Sequence, residues 1–226
     1  MTQPAWLAHY PSEVPHQLEA NPFQHLPDLI RAAAAIYGKK TAFTQVMPNG
    51  MNGSLSFAEV DKYSDQFAAY LREGLGLSQG DRVAVQMPNC LSYTIVAFGI
   101  FKAGLVLVNT NPLYTQTEMI HQFSDSGAKA LVVIDMFADR LPEVLPKTDI
   151  EHVVTVKVSQ FFPAAVAGVI RVTQKYWSKT LPKVTVPHTL FMDAISIGAK
   201  SLSEDKLRSY VSGVGKNSTA ALQYTG

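Results

Sequence analysis

Cysteine and charge are both scarce in this sequence. A single cysteine, Cys90, stands among 226 residues. That excludes an internal disulfide and a cysteine-based zinc site, and it suits a reducing compartment. Charged residues make up 16% of the chain, against a typical ~25%. Disorder needs high charge and few apolar residues, so a chain that is 47% hydrophobic folds in its bulk. Nineteen basic and 18 acidic residues leave a net charge of +1. No global field gathers nucleic acid, and no nucleic-acid partner is expected. Long apolar runs are missing too. The longest, Ile95 to Val108, is interrupted by Gly99, Lys102 and Gly104 and is too short to span a bilayer. The opening MTQPAWLAHYPSEVP has neither a basic start nor an apolar stretch, so no signal peptide is expected there. One absence is local: no acidic residue lies between Glu151 and Asp193.

What is present reads as an α/β protein, a mostly parallel sheet flanked by helices. Pro4, Pro11, Pro15 and Pro22 make residues 1–24 an extended surface arm. A helix is predicted from Leu26 to Tyr37, closed by Gly38. TAFTQV and SLSF, separated by Pro48, Asn49, Gly50, Asn52 and Gly53, predict a hairpin. Ser56 and Glu59 have the spacing of a capping box, and the helix behind them puts Val60, Phe67, Tyr70 and Leu71 near one face. From Gly80 onward, apolar strands (DRVAVQM, LVLVN, AKALVVI, HVVTVKV) alternate with helical segments. That rhythm indicates βαβ units and a sheet buried on both faces. Residues 159–190 interrupt it with a connection longer than α/β units usually have. The chain then closes on a strand, ALQYTG.

Several chemical readings are weak on inspection. GVGKNST lacks the first glycine of a Walker loop, because position 210 is Tyr, and Asn217 follows Lys216; it reads as a loop before the last strand. The six histidines show no ligand spacing, and His121 reads as solvent-facing on a helix. Cys90 reads as a small buried residue at a strand-to-helix turn. Gly99 and Gly104 read as close-packing positions, and Lys102 as a side chain reaching for solvent from a helix end. Asn109-Thr110-Asn111-Pro112 follows an apolar strand, where α/β folds place either a turn or a ligand loop. No catalytic residue and no metal ligand can be assigned. A strand that runs into Tyr224-Thr225-Gly226 could begin a phosphate-binding nest, but three residues are too few to be specific.

Read in order, LSFAEVDKYS (55–64), GDRVAVQMPN (80–89), FGIFKAGLVLVNTNPLYT (98–115), IHQFSDSGAKALVVI (120–134) and ALQYTG (221–226) carry more weight. Together they resemble the N-terminal part of AMP-forming acyl-CoA synthetases of the adenylate-forming superfamily, and most of all bacterial long-chain-fatty-acid-CoA ligases. The resemblance implies that residues 1–226 are the N-terminal part of an adenylation domain, with 159–190 as an insertion. It implies that Tyr224, Thr225 and Gly226 lead into the loop that holds the ATP phosphates. In the family that strand continues Tyr-Thr-Gly-Gly-Thr-Thr-Gly and reaches a Lys-Gly pair. The implied reaction joins a fatty acid to CoA through an acyl-adenylate. The full-length enzyme would use ATP and Mg²⁺, act in the cytoplasm, and pair with a second copy. The magnesium-binding acid, the adenylation lysine and the mobile C-terminal domain would lie past residue 226. This chain alone is therefore expected to be inactive and to hold no tightly bound ligand.

The acid-free stretch contains five basic residues, Lys157, Arg171, Lys175, Lys179 and Lys183. A helical wheel puts Phe162, Val166, Val169, Thr173, Tyr176 and Trp177 on one face. Arg171, Gln174, Lys175, Ser178 and Lys179 fall opposite. Such a pattern fits a membrane-surface helix or a helix docked on its own protein with a solvated basic face. The membrane reading nominates Phe162, Arg171, Lys175, Trp177 and Lys179 as contacts with the cytoplasmic face of the inner membrane. Without an enzyme behind it, the same segment would make the chain a noncatalytic lipid- or membrane-binding module.

Overall fold

A computed structural model describes residues 4–17 and 23–224. Thr225 and Gly226 of the expected phosphate loop lie outside the described residues, as does part of the N-terminal arm. The described part of that arm is mostly exposed, but it is not purely extended: Ala5–His9 closes a 3-10 turn.

Local chemistry sets the first elements. Helix α1 (Leu26–Tyr37) starts where the Asp28 carboxylate accepts the His25 backbone N–H at 3.1 Å, and it ends where the Gly38 N–H donates to the Ala34 carbonyl. Strands β1 (Thr41–Val46) and β2 (Asn52–Ser56) form the expected antiparallel hairpin. Helix α2 (Phe57–Ala69) opens with a complete capping box. Ser56 N–H donates to Glu59 Oε2 at 2.8 Å, and Glu59 N–H returns a bond to Ser56 Oγ at 3.3 Å. A π-helical turn, Tyr70–Gly74, extends it.

The remaining strands form one six-stranded parallel sheet. They are β3 (Arg82–Gln86), β4 (Val106–Thr110), β5 (Ala128–Ile134), β6 (His152–Val156), β7 (Thr189–Leu190) and β8 (Ala221–Gln223). Their spatial order is β7-β6-β5-β3-β4-β8. The crossovers carry α3 (Leu91–Lys102), α4 (Gln116–Ser126), the short α5 (Leu141–Val144), α6 (Ala164–Val172), α7 (Phe191–Ser201) and α8 (Glu204–Tyr210). Period-two alternation divides the sheet's side chains between two cores. Val83, Val85, Leu107, Val132 and Val154 join the core of α1, α2, α3 and α7. Ala84, Val108, Leu131, Val133 and Val153 join that of α4 and α5. Val60, Phe67, Tyr70 and Leu71 are all buried, as the helical spacing predicted.

Three expectations need correction. Lys102 does not reach for solvent: it is fully buried between α3 and α2. Asp61 and Asp65 lie four apart on α2 and therefore share a face. The Lys102 ammonium meets Asp61 Oδ1 at 2.6 Å and Asp65 Oδ1 at 2.7 Å, and it donates to the Asp61 carbonyl at 2.8 Å. Phe162 is buried rather than outward-facing. The helix begins only at Ala164, past a left-handed Phe161 and Pro163, so Phe162 never joins its outer face. Gln174 is buried too, and Arg171, though half-exposed, is committed to the protein. Arg171 pairs with the buried carboxylate of Asp135, and Gln174 Nε2 lies 3.2 Å from Met136 Sδ.

At the far end of α2, Glu73 joins the π turn to α8. It accepts from Tyr210 Oη at 2.9 Å and pairs with Lys206 Nζ at 2.8 Å. The bonds from Lys206 and Tyr210 hold its carboxyl below the ordinary carboxylate range. A lowered folded-state pKa stabilises above the unfolded value and loses that contribution as pH falls through the folded one. Glu73→Gln should therefore lower the thermal midpoint at neutral pH. The pair is open to solvent, so the loss should be about 1 kcal/mol or less, or roughly 2–4 °C for a chain of this size. The variant and parent curves should converge at acid pH, below the usual carboxylate pKa of 4.5. A difference that persists in acid would show that the side chain acts by packing instead.

Candidate functional site

In parallel α/β sheets, ligands gather outside the carboxyl ends of the strands. Here a pocket of about 420 Å³ lies at that edge of β3, β4 and β8, lined by Met87, Asn89, Tyr93, Asn109, Asn111 and Tyr224. A hydrogen-bonded ladder crosses it. Tyr93 Oη, from α3, donates to Asn109 Oδ1 at 2.8 Å. Asn109 Nδ2, from β4, donates to Gln223 Oε1 on β8 at 2.9 Å. Gln122 Nε2, from α4, donates to the Asn109 carbonyl at 2.8 Å. The turn that follows is held from within, where Leu113 N–H donates to Asn111 Oδ1 at 2.9 Å.

Helix α4 supplies the last support. Thr115 and Glu118 cap its start, and Gly127 ends it in the left-handed region at φ 59°. Near that end, Asp125 accepts from Tyr224 Oη at 2.5 Å. Partial burial and that bond push the Tyr224 phenol up to about 12. It therefore stays protonated, and stays a donor, across the ordinary pH range. The effect is mechanical: Gln223 and Tyr224 are pinned side by side, Gln223 to the neighbouring strand and Tyr224 to the helix below. The ladder is built from amides and a phenol, with no carboxylate, imidazole or thiol in it.

Tyr224 follows β8 at the carboxyl edge of the sheet, and Asn109 joins it there. Nothing in the sequence alone singles out Tyr93, Gln122, Asp125 or Gln223. The available signal was faint: Asn109 and Gln223 are polar residues at the ends of short apolar strands. Cys90 is buried at the start of α3, with Sγ 3.8 Å from Met87 Sδ, and burial raises its thiol pKa. It is no nucleophile. Among the described residues no group of three His, Cys, Asp or Glu comes together that could hold a metal. A larger cavity, about 1150 Å³, lies at the opposite, amino-terminal edge, lined by Leu26, Gly80, Leu105, Lys216 and Ala220. It lies away from the strand-end loops.

Comparison with known proteins agrees with this geometry. A family model described as "AMP-binding enzyme" matches residues 30–226. The long-chain-fatty-acid-CoA ligase of Salmonella typhimurium is 37% identical over 221 residues, 98% of this chain and 38% of that protein. The Haemophilus influenzae ligase of the same name is 35% identical over 223 residues, again 98% of this chain and 38% of that protein. The chain therefore spans about 38% of the length of these curated relatives. Among solved structures, a long-chain-fatty-acid-CoA ligase from Archaeoglobus fulgidus superposes with a TM-score of 0.54 at 29% identity, covering 63% of this chain and 30% of that one. The A-PCP didomain of a carboxylic acid reductase from Segniliparus rugosus, in complex with AMP, gives 0.68 over 91% of this chain and 30% of that one. At 15% identity it speaks for the fold alone. The match over residues 30–226, nearly the whole chain, shows that this chain belongs to the AMP-binding enzyme family.

Proposed function

We propose that this chain is the N-terminal part of the adenylation domain of a long-chain fatty acyl-CoA synthetase. The observation that carries the reading is the 35–38% identity, over 98% of the chain, to proteins that are all named as long-chain-fatty-acid-CoA ligases. In the proposed reaction the fatty carboxylate attacks the α-phosphorus of ATP and pyrophosphate leaves. The CoA thiolate then attacks the acyl carbon and AMP leaves. Cationic groups and Mg²⁺ would offset charge developing on the phosphates. This chain would contribute the scaffold: β8, held by Asn109 and Asp125, sets where the phosphate loop begins at Tyr224. The protein would work in the cytoplasm, partly on the inner face of the membrane, where its acyl substrates partition. A mass measurement by size exclusion with light scattering tests the second copy that the resemblance implies.

The direct test is palmitate-dependent exchange of labelled pyrophosphate into ATP. The full-length gene product should show it, and the 226-residue chain alone should not. Exchange by the short chain would refute its purely scaffolding role, and none by the full-length protein would refute the ligase reading. Within the full-length protein, Asn109→Ala removes both the Tyr93 and the Gln223 bonds. At about 0.5–1.5 kcal/mol each, their loss should raise the KM for ATP roughly tenfold. The KM for the fatty acid should hardly change. Equal changes in both would mean that the ladder supports the whole domain rather than the loop.

A further inference from the structure

Helix α6 and the π-helical turn that follows it, Thr173–Trp177, place an apolar stripe outside the protein. Val169 is 55% exposed, Val172 58%, Tyr176 68% and Trp177 89%. The inner side is fully used: Ile170 and Gln174 are buried, and Arg171 is tied to Asp135. The stripe is therefore not a poorly packed inner face. It is a second apolar face, spaced 169, 172, 176, on a helix that is already docked. Two exposed aromatics beside two exposed valines are unusual on a soluble surface.

The charge around the stripe points to its partner. Lys175 and Lys179 are exposed beside it, and Lys175 Nζ lies 5.1 Å over the Tyr176 ring. No acidic residue stands between Glu151 and Asp193. Tryptophan and tyrosine favour the boundary between headgroups and acyl chains, and lysines next to them meet anionic headgroups. The segment is also too short to cross a bilayer, and no described helix is long and apolar enough to do so. That leaves lying on the surface as the mode of contact.

We propose that Val169, Val172, Tyr176 and Trp177, flanked by Lys175 and Lys179, dock this protein on an anionic lipid surface. The contacts are then Val169, Val172 and Tyr176, which are exposed, rather than Phe162, which is buried, and Arg171, whose guanidinium is held by Asp135. It needs nothing from the ligase chemistry, but it extends the membrane attachment proposed above to a defined face. The position is suggestive as well. Arg171 and Gln174 grip Asp135 and Met136, the two residues after β5. The docking face is thus anchored to the carboxyl edge of the sheet, the edge that carries Tyr224.

Trp177 can report on itself. The chain has two tryptophans, so Trp6→Phe leaves Trp177 as the only one. In this background the 226-residue chain reports Trp177 directly, and in the full-length gene product the difference between spectra with and without Trp177→Phe isolates it; in both, Trp177 emission should shift to the blue with phosphatidylglycerol vesicles. It should not shift with phosphatidylcholine vesicles. Lys175→Glu with Lys179→Glu should weaken vesicle co-sedimentation by roughly tenfold or more. Tyr176→Ser with Trp177→Ser should abolish it while leaving the thermal midpoint unchanged, because both side chains lie outside the core. Three results would overturn the proposal. One is no shift on any vesicle, or equal binding to neutral ones. Another is Trp177 already blue-shifted in the full-length protein without lipid, which would mean that the rest of the chain covers the face. The third is a lipid-free shift that grows with protein concentration, which would mean that a second copy covers it.

Discussion

Lys102→Met should cost this fold about 3–5 kcal/mol, the usual penalty for removing one member of a buried ion pair. The side chain is fully buried, and its ammonium is the shared partner of Asp61 and Asp65. Without it, two carboxylates sit side by side on α2 against α3, with Arg31, 3.6 Å from Asp65, left to answer them. Burial already raises the Asp65 pKa despite the pull of Lys102. The variant should relieve itself further by binding a proton there, so its deficit should shrink in acid. By thermal unfolding the loss at neutral pH corresponds to roughly 6–20 °C for a chain of this size. Asp61→Asn and Asp65→Asn added to Lys102→Met should recover at least half of it, since the unpaired charges are then gone. A single variant that melts within about 1 kcal/mol of the parent would show that water reaches the site.

Gly198→Ala should be about as damaging, for a steric reason. Gly198 sits on α7 where that helix crosses α2. A β-carbon there would lie 1.8 Å from the Gln66 carbonyl oxygen and 2.9 Å from the Tyr70 nitrogen. Both are backbone atoms, and neither can swing aside. The helices must separate, and overpacking of this kind costs about 3 kcal/mol or more. Gly168→Ala is the control. Gly168 is also helical, but a β-carbon there meets nothing within 4 Å. That change should instead stabilise by about 0.5–1 kcal/mol, through helix propensity alone. If both substitutions proved neutral in thermal melts, α7 would not lie against α2 as described.

The contrast between these glycines shows how much was legible. Gly198 and Gly168 have the same helical spacing and similar neighbours in the chain, and nothing local separates them. The capping box at Ser56 and the bounds of α1 were readable because the atoms that satisfy them lie within four residues. The alternating rhythm after Gly80 likewise announced a buried parallel sheet. It could not announce that Asn109 would meet Gln223, which is 114 residues away. Nor could it place Asp125 under Tyr224. The helical wheel left open whether its apolar face meets a membrane or the protein, because the contacts that decide it come from another segment. Gln174 and Arg171 found polar partners at Met136 and Asp135, so the helix holds them against the protein and leaves Val169, Tyr176 and Trp177 outside.

The sequence by itself determined the element order, the parallel class of the sheet, the capping of α2 and the family to which the chain belongs. These rest on short-range bonds and on hydrophobic periodicity, both written along the chain. The tertiary structure alone decided that Lys102 is buried, that Gly198 must be glycine, that Tyr224 is held by Asp125, and which face of α6 meets solvent. Each of these depends on what a distant segment offers at the point of contact. A lysine stays buried only where two carboxylates wait for it, and an aromatic stays exposed only where polar groups have already claimed the inner side.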